Sequence, residues 1–432
     1  MNKVLIIGRG GREHALALKF SETCEVYVAP GNVGMESIAT LVNIDENDFK
    51  SLIEFSKKEN ISLIFVGPEV PLVNGIVDEF EKEGLNIFGP NKEAAQIEGS
   101  KDFAKKLMKK YNIPTAQYET FTEVEKALEY IKNKKAPYVL KADGLAAGKG
   151  VVIAKNLEEA EITLKEMLEQ NKFGSSYSDK TSKVVAKVVI EDFLEGIEFS
   201  FMAIVNGEKV YPLEIAKDHK AVYDNDEGEN TGGMGAYSPV PQICDETIKF
   251  SISEILQKTA TAMVKEGTPF KGILYAGLIN TKEGAKVIEF NARFGDPETE
   301  VLLPRLESDL FEIINKISNG EKVELKWFSD VALGVVLASG GYPNKYKTGF
   351  PIEINSDVKN NEGSNDNKNI TLYHCGTTKE NENDNFITNG GRVLVVTSKA
   401  KDLETARTKV YEEIKKIKFE GMHYRNDIGK FN

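Results

Sequence analysis

Glu289, Asn291 and Arg293 are spaced to act together. They stand in the stretch Val287-Ile288-Glu289-Phe290-Asn291-Ala292-Arg293-Phe294-Gly295-Asp296-Pro297-Glu298-Thr299-Glu300. The apolar lead-in over 286–290 predicts a strand, and side chains on a strand alternate between faces. If the strand runs that far, a carboxylate, an amide oxygen and a guanidinium share one patch. The first two are hard oxygen ligands suited to Mg²⁺, which usually takes one or two carboxylates plus substrate phosphates. The guanidinium can grip a carboxylate or phosphate at two points. Gly295 and Pro297 turn the chain, and Glu298 onward predicts a helix start. A lone E-x-N also fits a solvated edge strand ahead of a turn, so the surrounding chain has to decide.

Two glycine loops come next. Gly8-Arg9-Gly10-Gly11-Arg12-Glu13-His14 follows the apolar run Val4–Ile7 and precedes helical spacing over 15–20. A dinucleotide loop would need a third glycine where Glu13 stands, and an acid after the second strand, which instead ends Val28-Ala29-Pro30-Gly31-Asn32. What remains is a turn whose amides and helix N-terminus could bind one phosphate, or bind nothing. The second loop, Asp143-Gly144-Leu145-Ala146-Ala147-Gly148-Lys149-Gly150, joins two predicted strands. It is not a Walker A motif: its glycines are too close, Gly150 replaces the Ser/Thr, and a strand follows where a helix is required. Its amides, with Lys141 and Lys149, suit a flap over phosphates; a plain hairpin with solvated lysines has the same composition.

The elements that must position these residues read as follows. Apolar runs at 4–7, 62–68 and 85–90 alternate with helical segments, a doubly wound α/β pattern. Ser100 is a plausible N-cap for a helix ending near Pro114. Strands are expected at 137–142, 151–154, 185–190, 199–205, 209–213, 272–279 and 331–338. Further strands are expected at 371–375 and 392–397, and helices at 308–317 and 402–417. The length of 432 residues allows about three domains at roughly 150 each. A net charge of −12 argues against nucleic-acid or acidic-membrane partners. Three scattered cysteines match no metal spacing and fit a reducing compartment. No apolar run approaches the length of a membrane span.

The full string through Arg293-Phe294-Gly295-Asp296-Pro297-Glu298 resembles the signature of the glycinamide ribonucleotide synthetases (phosphoribosylamine–glycine ligases), ATP-grasp enzymes of purine synthesis. The resemblance runs in order along essentially the whole chain. It implies a multidomain α/β and α+β fold. A doubly wound parallel sheet over 1–100 would bind phosphoribosylamine. A central ATP-grasp domain would span 101–120 and 191–325, with its lid over 121–190. A small C-terminal domain would span 326–432 and contribute no catalytic residue. The implied reaction joins glycine to 5-phosphoribosylamine with ATP and Mg²⁺ or Mn²⁺, in the cytoplasm and as a monomer.

The resemblance also implies roles. Lys105, Lys141, Gly148, Lys149, Glu191, Phe193, Leu194 and Glu198 would hold ATP, with Glu191 accepting from the adenine amino group. Glu289 and Asn291 would hold the metal. Gly10, Gly11, Arg12, Pro30, Gly31, Asn32 and Glu69 would surround phosphoribosylamine, with Asp218, Lys220 and Arg293 at the glycine. Arg293, Asp218, Lys141 and Lys105 would carry the chemistry. The chain departs from the family pattern at Lys217, Ala221, Glu229 and Glu300, where Gln, Arg, Pro and Gln are usual, and at Ile197. A lost cation at 221 and a gained acid at 300 are expected to weaken anion binding. Strand 272–279 also lacks a carboxylate that many ATP-grasp enzymes place there. Two rivals stay open: an ATP-grasp ligase for another amine or acid, and a silent nucleotide sensor.

Overall fold

The computed structural model describes residues 1–145, 150–170, 186–355, 369–381 and 385–431. At the N-terminus, strands β1 (Lys3–Gly8), β2 (Glu25–Pro30), β3 (Thr40–Leu41), β4 (Leu63–Val66) and β5 (Ile87–Phe88) form a parallel sheet in the order β3-β2-β1-β4-β5. Val4, Leu5, Ile6 and Ile7 are fully buried, as expected where helices cover both faces of a parallel sheet. Helix α1 (Gly11–Ser21) follows β1 directly. Phe65 of β4 packs between Phe20, Phe88 and Phe294, ring centroids 5.8–6.0 Å away, so the sheet is fastened onto the 287–300 stretch.

Helix α2 (Lys101–Tyr111) starts where Ser100 Oγ accepts from Phe103 N, and its i, i+4 spacing sets Lys101 and Lys105 on one face. Strands β6 (Tyr118–Phe121), β7 (Tyr138–Ala142), β8 (Val151–Ala154) and β9 (Val188–Asp192) form an antiparallel sheet in the order β6-β9-β7-β8. Helices α3 (Val124–Lys132) and α4 (Leu157–Leu168) bury Ala127, Ile131, Ala160 and Leu164 against it.

The largest sheet has eight strands: β10 (Ile197–Asn206), β11 (Lys209–Asp218), β12 (Gly235–Ser238), β13 (Lys271–Thr281), β14 (Gly284–Asn291), β15 (Val331–Ala338), β16 (Ile370–His374) and β17 (Arg392–Ala400). Their order is β14-β13-β10-β11-β12-β15-β17-β16, antiparallel throughout. The C-terminal strands therefore extend the central sheet through the β12–β15 pair. Between β13 and β14 the register passes from Gly277↔Glu289 to Leu278↔Val287, leaving Ile288 as a bulge. A bulge re-aims the side chains beside it. Gly277, opposite Glu289, has no room to spare: a Cβ there would lie 3.2 Å from Glu289 Cγ.

Short α5 (Thr299–Leu302) follows the turn at Gly295–Pro297. The last helix, α6 (Leu403–Ile414), ends three residues short of the sequence expectation because Ile417 and Lys418 pair as a strand with Ile354 and Glu353. The polar stretch expected as a loop over 355–369 lies largely outside the described residues. No helix among the described residues is long and apolar enough to cross a membrane.

Candidate active site

A cavity of about 570 Å³ opens where the parallel sheet, the β6–β9 sheet and the eight-stranded sheet meet. Its walls include Lys105, Lys141, Glu191, Phe193, Leu194 and Glu198. They also include Glu289, Asn291, Arg293, Asp218 and Lys220, and from the N-terminal sheet Gly10, Arg12 and Glu69. Gly148 and Lys149 lie outside the described residues. Gly11, Pro30, Gly31 and Asn32 are not on the walls. Gly11 is buried against Glu300 and Cys375. Asn32 Nδ2 donates to the carbonyls of Arg9 and His374, which spends it on holding the loop.

One end of the cavity is rich in lysine. Glu191 on β9 makes ion-pair contacts with Lys105 Nζ at 2.8 Å and Lys141 Nζ at 2.9 Å, all three side chains nearly sealed from solvent. Lys105 also donates to Thr115 Oγ1 and Lys141 to Ile288 O, each held by a second oxygen. Each Glu191 oxygen thus faces one lysine, and Oε1 has no hydrogen-bond partner among the described residues. Burial pushes the Lys105 ammonium down to about 8 against the pull of Glu191. Lys101, also on the wall, donates to Gly144 O at 2.9 Å at the base of the second glycine loop. Its i, i+4 relation to Lys105 could have revealed it from sequence.

Glu289 lies beside this cluster. Lys220 Nζ is 3.3 Å from Glu289 Oε1. Lys220 foremost, with Lys141 and Lys101, holds the Glu289 carboxyl down to about 2 despite burial. Asn291 Oδ1 accepts from Arg293 Nη2 at 3.3 Å. A permanently ionised carboxylate and an amide oxygen, ringed by cations, suit a hard divalent ion shared with phosphates. Among the described residues no three His, Cys, Asp or Glu side chains cluster as a metal site, so such an ion would draw its other ligands from substrate.

The opposite end is built from arginines that already have partners. Arg293 makes ion-pair contacts with Glu98 at 3.0 Å and Glu69 at 3.5 Å. Burial pushes Glu98 up to about 7, while Arg293 and Arg12 hold Glu69 below its ordinary range despite burial. Arg12 Nε donates to Glu13 Oε1 at 2.6 Å. Glu13 also takes the Gly10 amide at 2.6 Å, and Asp296 Oδ2 takes the Arg12 amide at 3.3 Å. Two of the loop amides that the sequence offers to a phosphate, those of Gly10 and Arg12, are therefore taken by the chain's own carboxylates. Glu13, the residue that spoiled the dinucleotide pattern, occupies the space itself.

Asp218 is partly exposed, but its Oδ1 is shut off from solvent and has no hydrogen-bond partner among the described residues. Burial and the charge of Glu298 push its pKa well above the usual carboxylate range. Glu298 accepts from Tyr275 Oη at 2.5 Å and Ser200 Oγ at 2.8 Å. A cation arriving between Asp218 and Glu298 would relieve both. His219 is off the cavity wall, buried against the Tyr237 ring.

Sequence reasoning missed Arg392. It reaches the wall from β17, in the C-terminal region expected to contribute no catalytic residue. Its Nη1 donates to Gly232 O at 2.7 Å and to Asp296 O at 2.9 Å. Tyr342 Oη accepts from Gly232 N at 3.0 Å. Together they seat the Thr231–Gly233 loop; a Cβ at Gly232 would lie 3.0 Å from Arg392 Cζ. No local motif in the sequence marks this arginine.

Two departures from the family pattern lie just behind the cavity wall: Ala221 follows Lys220 and pairs with Asn230, and Glu300 neighbours Asp296. Ala221 is buried, and its carbonyl accepts from Arg425 Nη1 at 3.1 Å. Glu300 is buried behind α1. Neither is on the wall, so the expected weakening of anion binding has no direct contact to act through. Lys217 reaches the Glu198 carbonyl, and Glu229 accepts from Asn344.

The chain matches the phosphoribosylglycinamide synthetase N domain over residues 2–98, its ATP-grasp (A) domain over 99–299 and its C domain over 332–431. A phosphoribosylamine–glycine ligase of Halalkalibacterium halodurans is 52% identical over 429 residues, covering 99% of this chain and 96% of that one. The crystal structure of the Thermotoga maritima phosphoribosylamine–glycine ligase superposes with a TM-score of 0.83 at 36% identity, covering 99% of this chain and 100% of that one. A biotin carboxylase domain from Hydrogenobacter thermophilus, solved with MgADP, ADP and bicarbonate, shares the fold: TM-score 0.69 at 16% identity, covering 98% and 91%.

Proposed function

This chain belongs to the phosphoribosylglycinamide synthetase family, and from that premise we propose that it ligates glycine to 5-phosphoribosylamine with ATP, giving glycinamide ribonucleotide, ADP and phosphate in purine biosynthesis. The observation that carries this is one cavity joining a lysine-lined end, the Glu289–Asn291 oxygen pair and the unpartnered Asp218 oxygen.

Lys101, Lys105 and Lys141 would neutralise the triphosphate, and the hinge at Glu191–Leu194 would receive the adenine, with Glu198 at the ribose. Glu289 and Asn291 fit Mg²⁺ or Mn²⁺; a divalent ion there would screen phosphate from an approaching carboxylate. Lys149 and Gly148 would close the loop above the phosphates and exclude water. Asp218 would take the glycine ammonium, and Arg293 and Lys220 its carboxylate.

A carboxylate is a poor electrophile. In-line attack of a glycine oxygen on the γ-phosphorus forms an O–P bond, breaks the bond to ADP and yields glycyl phosphate. Such transfer needs positioning and charge neutralisation more than covalent help. The amine of phosphoribosylamine then attacks the acyl carbon and expels phosphate. Gly10, Arg12 and Glu69 would face that amine substrate, while Gly11, Pro30, Gly31 and Asn32 shape the loop behind them. Glycine has no side chain, so a wall too close for a methyl group must add steric rejection to the ~1–3 kcal/mol of a methylene contact. Cys24, Cys244 and Cys375 are free thiols, which suits the cytoplasm.

Purified protein given ATP, glycine and phosphoribosylamine should release ADP and glycinamide ribonucleotide in equal amounts. ATP binding without any product would favour the sensor, and product with a different amine or acid would favour another ligase.

A further inference from the structure

Glu300 on α5 is fully buried. Apart from its own main-chain N–H, no donor among the described residues serves either of its side-chain oxygens. A Cβ on Gly11 would lie 2.5 Å from its Oε1 and 2.7 Å from Cys375 Sγ, so no water fits on that side. Its polar neighbour is Asp296, four residues earlier in the turn that precedes α5 and within hydrogen-bonding reach. Asp296 lines the cavity, takes the Arg12 amide on Oδ2 and has Arg392 Nη1 at 3.0 Å from Oδ1. Other ionisable groups facing the pair are Arg12 from α1, Tyr373 from β16 and Cys375 just after it.

Two ionised carboxylates in contact and away from water cannot both persist beside a single close guanidinium. We propose that Asp296 and Glu300 share one proton, with Glu300 the neutral donor, and that Glu300 is a positioning residue for the amine end of the cavity. Its O–H fixes Asp296, which fixes the Arg12 amide and Arg392. A protonated glutamate matches glutamine in shape, in neutrality and in offering a hydrogen to Asp296. That accounts for an acid where the family pattern has an amide. The charges divide accordingly: burial and then Asp296 push Glu300 well above the ordinary carboxylate range, whereas Arg392 and Arg12 hold Asp296 below it despite burial.

The test uses the full chain. An infrared difference spectrum, wild type minus Glu300→Gln at neutral pH without substrate, should show the carbonyl stretch of a hydrogen-bonded carboxylic acid. If that variant folds poorly, wild type minus Asp296→Asn serves: removing the neighbouring charge should shift or abolish the same band, while any bands from Glu98 and Asp218 cancel. Absence of the band at neutral pH overturns the shared proton. The kinetic arm rests on the proposed ligase reaction; the infrared arm does not. At saturating ATP, the wild-type KM for phosphoribosylamine should climb severalfold on the alkaline side as the proton leaves, while that of Glu300→Gln stays level. A parallel climb in both proteins would overturn the positioning role.

Discussion

The two ends of the cavity follow opposite electrostatic plans. At one end Lys101, Lys105, Lys141 and Lys220 face two close carboxylates, Glu191 and Glu289. Positive charge is left over, and burial of Lys105 keeps it primed for a polyanion. At the other end Arg12, Arg293 and Arg392 each already touch a carboxylate: Glu13, Glu69 and Glu98, or Asp296. Such pairs contribute geometry more than net attraction, since breaking one leaves a buried charge uncompensated. The lysine end should therefore respond to charge changes through ATP. The arginine end should respond through alignment of the amine and glycine.

The largest effect is expected at the seam between the ends. Glu289→Ala removes the carboxylate of the oxygen pair and should cut turnover at least about 100-fold, the scale of losing one preorganised electrostatic partner. Circular dichroism should show an intact fold, because Glu289 is only half-buried at its side chain. Retained Mg²⁺-dependent turnover would erase the distinction between the ends.

Arg392→Ala tests the arginine end alone. It frees the Gly232 loop and Asp296 and should raise KM for phosphoribosylamine by roughly tenfold, the loss of a charge-assisted hydrogen bond. The KM for ATP should hardly move. Equal effects on both constants would mean that the ends are not separable.

A smaller effect belongs to Lys105, whose pKa falls from the ordinary lysine value of 10.5 to about 8. Because the folded value is the lower one, the unfolded chain binds more protons between the two. This group's contribution to stability therefore rises with pH across that window. ATP binding needs the ammonium charged, so above about 8 binding should take up a proton. Calorimetry in buffers of different ionisation enthalpy would register the uptake; its absence would place the titration elsewhere.

The same contrast explains how much was legible in the sequence. The lysine end lies on local patterns: strand alternation through Glu289 and Asn291, the two lysines flanking a glycine loop, and a strand ending in Glu191. Alternation and turn chemistry are short-range signals, so Lys105, Lys141, Glu191, Glu289 and Asn291, though not Lys101, could be named as candidates that the structure brings to one wall. Even there, the bulge at Ile288 and the use of Glu191 as a lysine clamp needed the register of two strands. The arginine end is assembled from residues 12, 296 and 392, which no spacing rule relates. Glu13 read as a missing glycine, and only the structure shows it filling the loop. Ala221 and Glu300 read as losses in anion binding, and that both are buried was invisible in the sequence.

That gives the smallest predicted effect. Ala221→Arg combined with Glu300→Gln should bring no gain in KM for either substrate, contrary to the sequence expectation. The added arginine would crowd Arg425 at a buried position and should lower Tm. A clear drop in KM would return Ala221 to the binding site.

If the two ends meet over glycine, its carboxylate is phosphorylated before the amine arrives. Turnover with glycine carrying ¹⁸O in its carboxylate tests this directly. One labelled oxygen should appear in the released phosphate, whereas label found only in the glycinamide product would rule this order out.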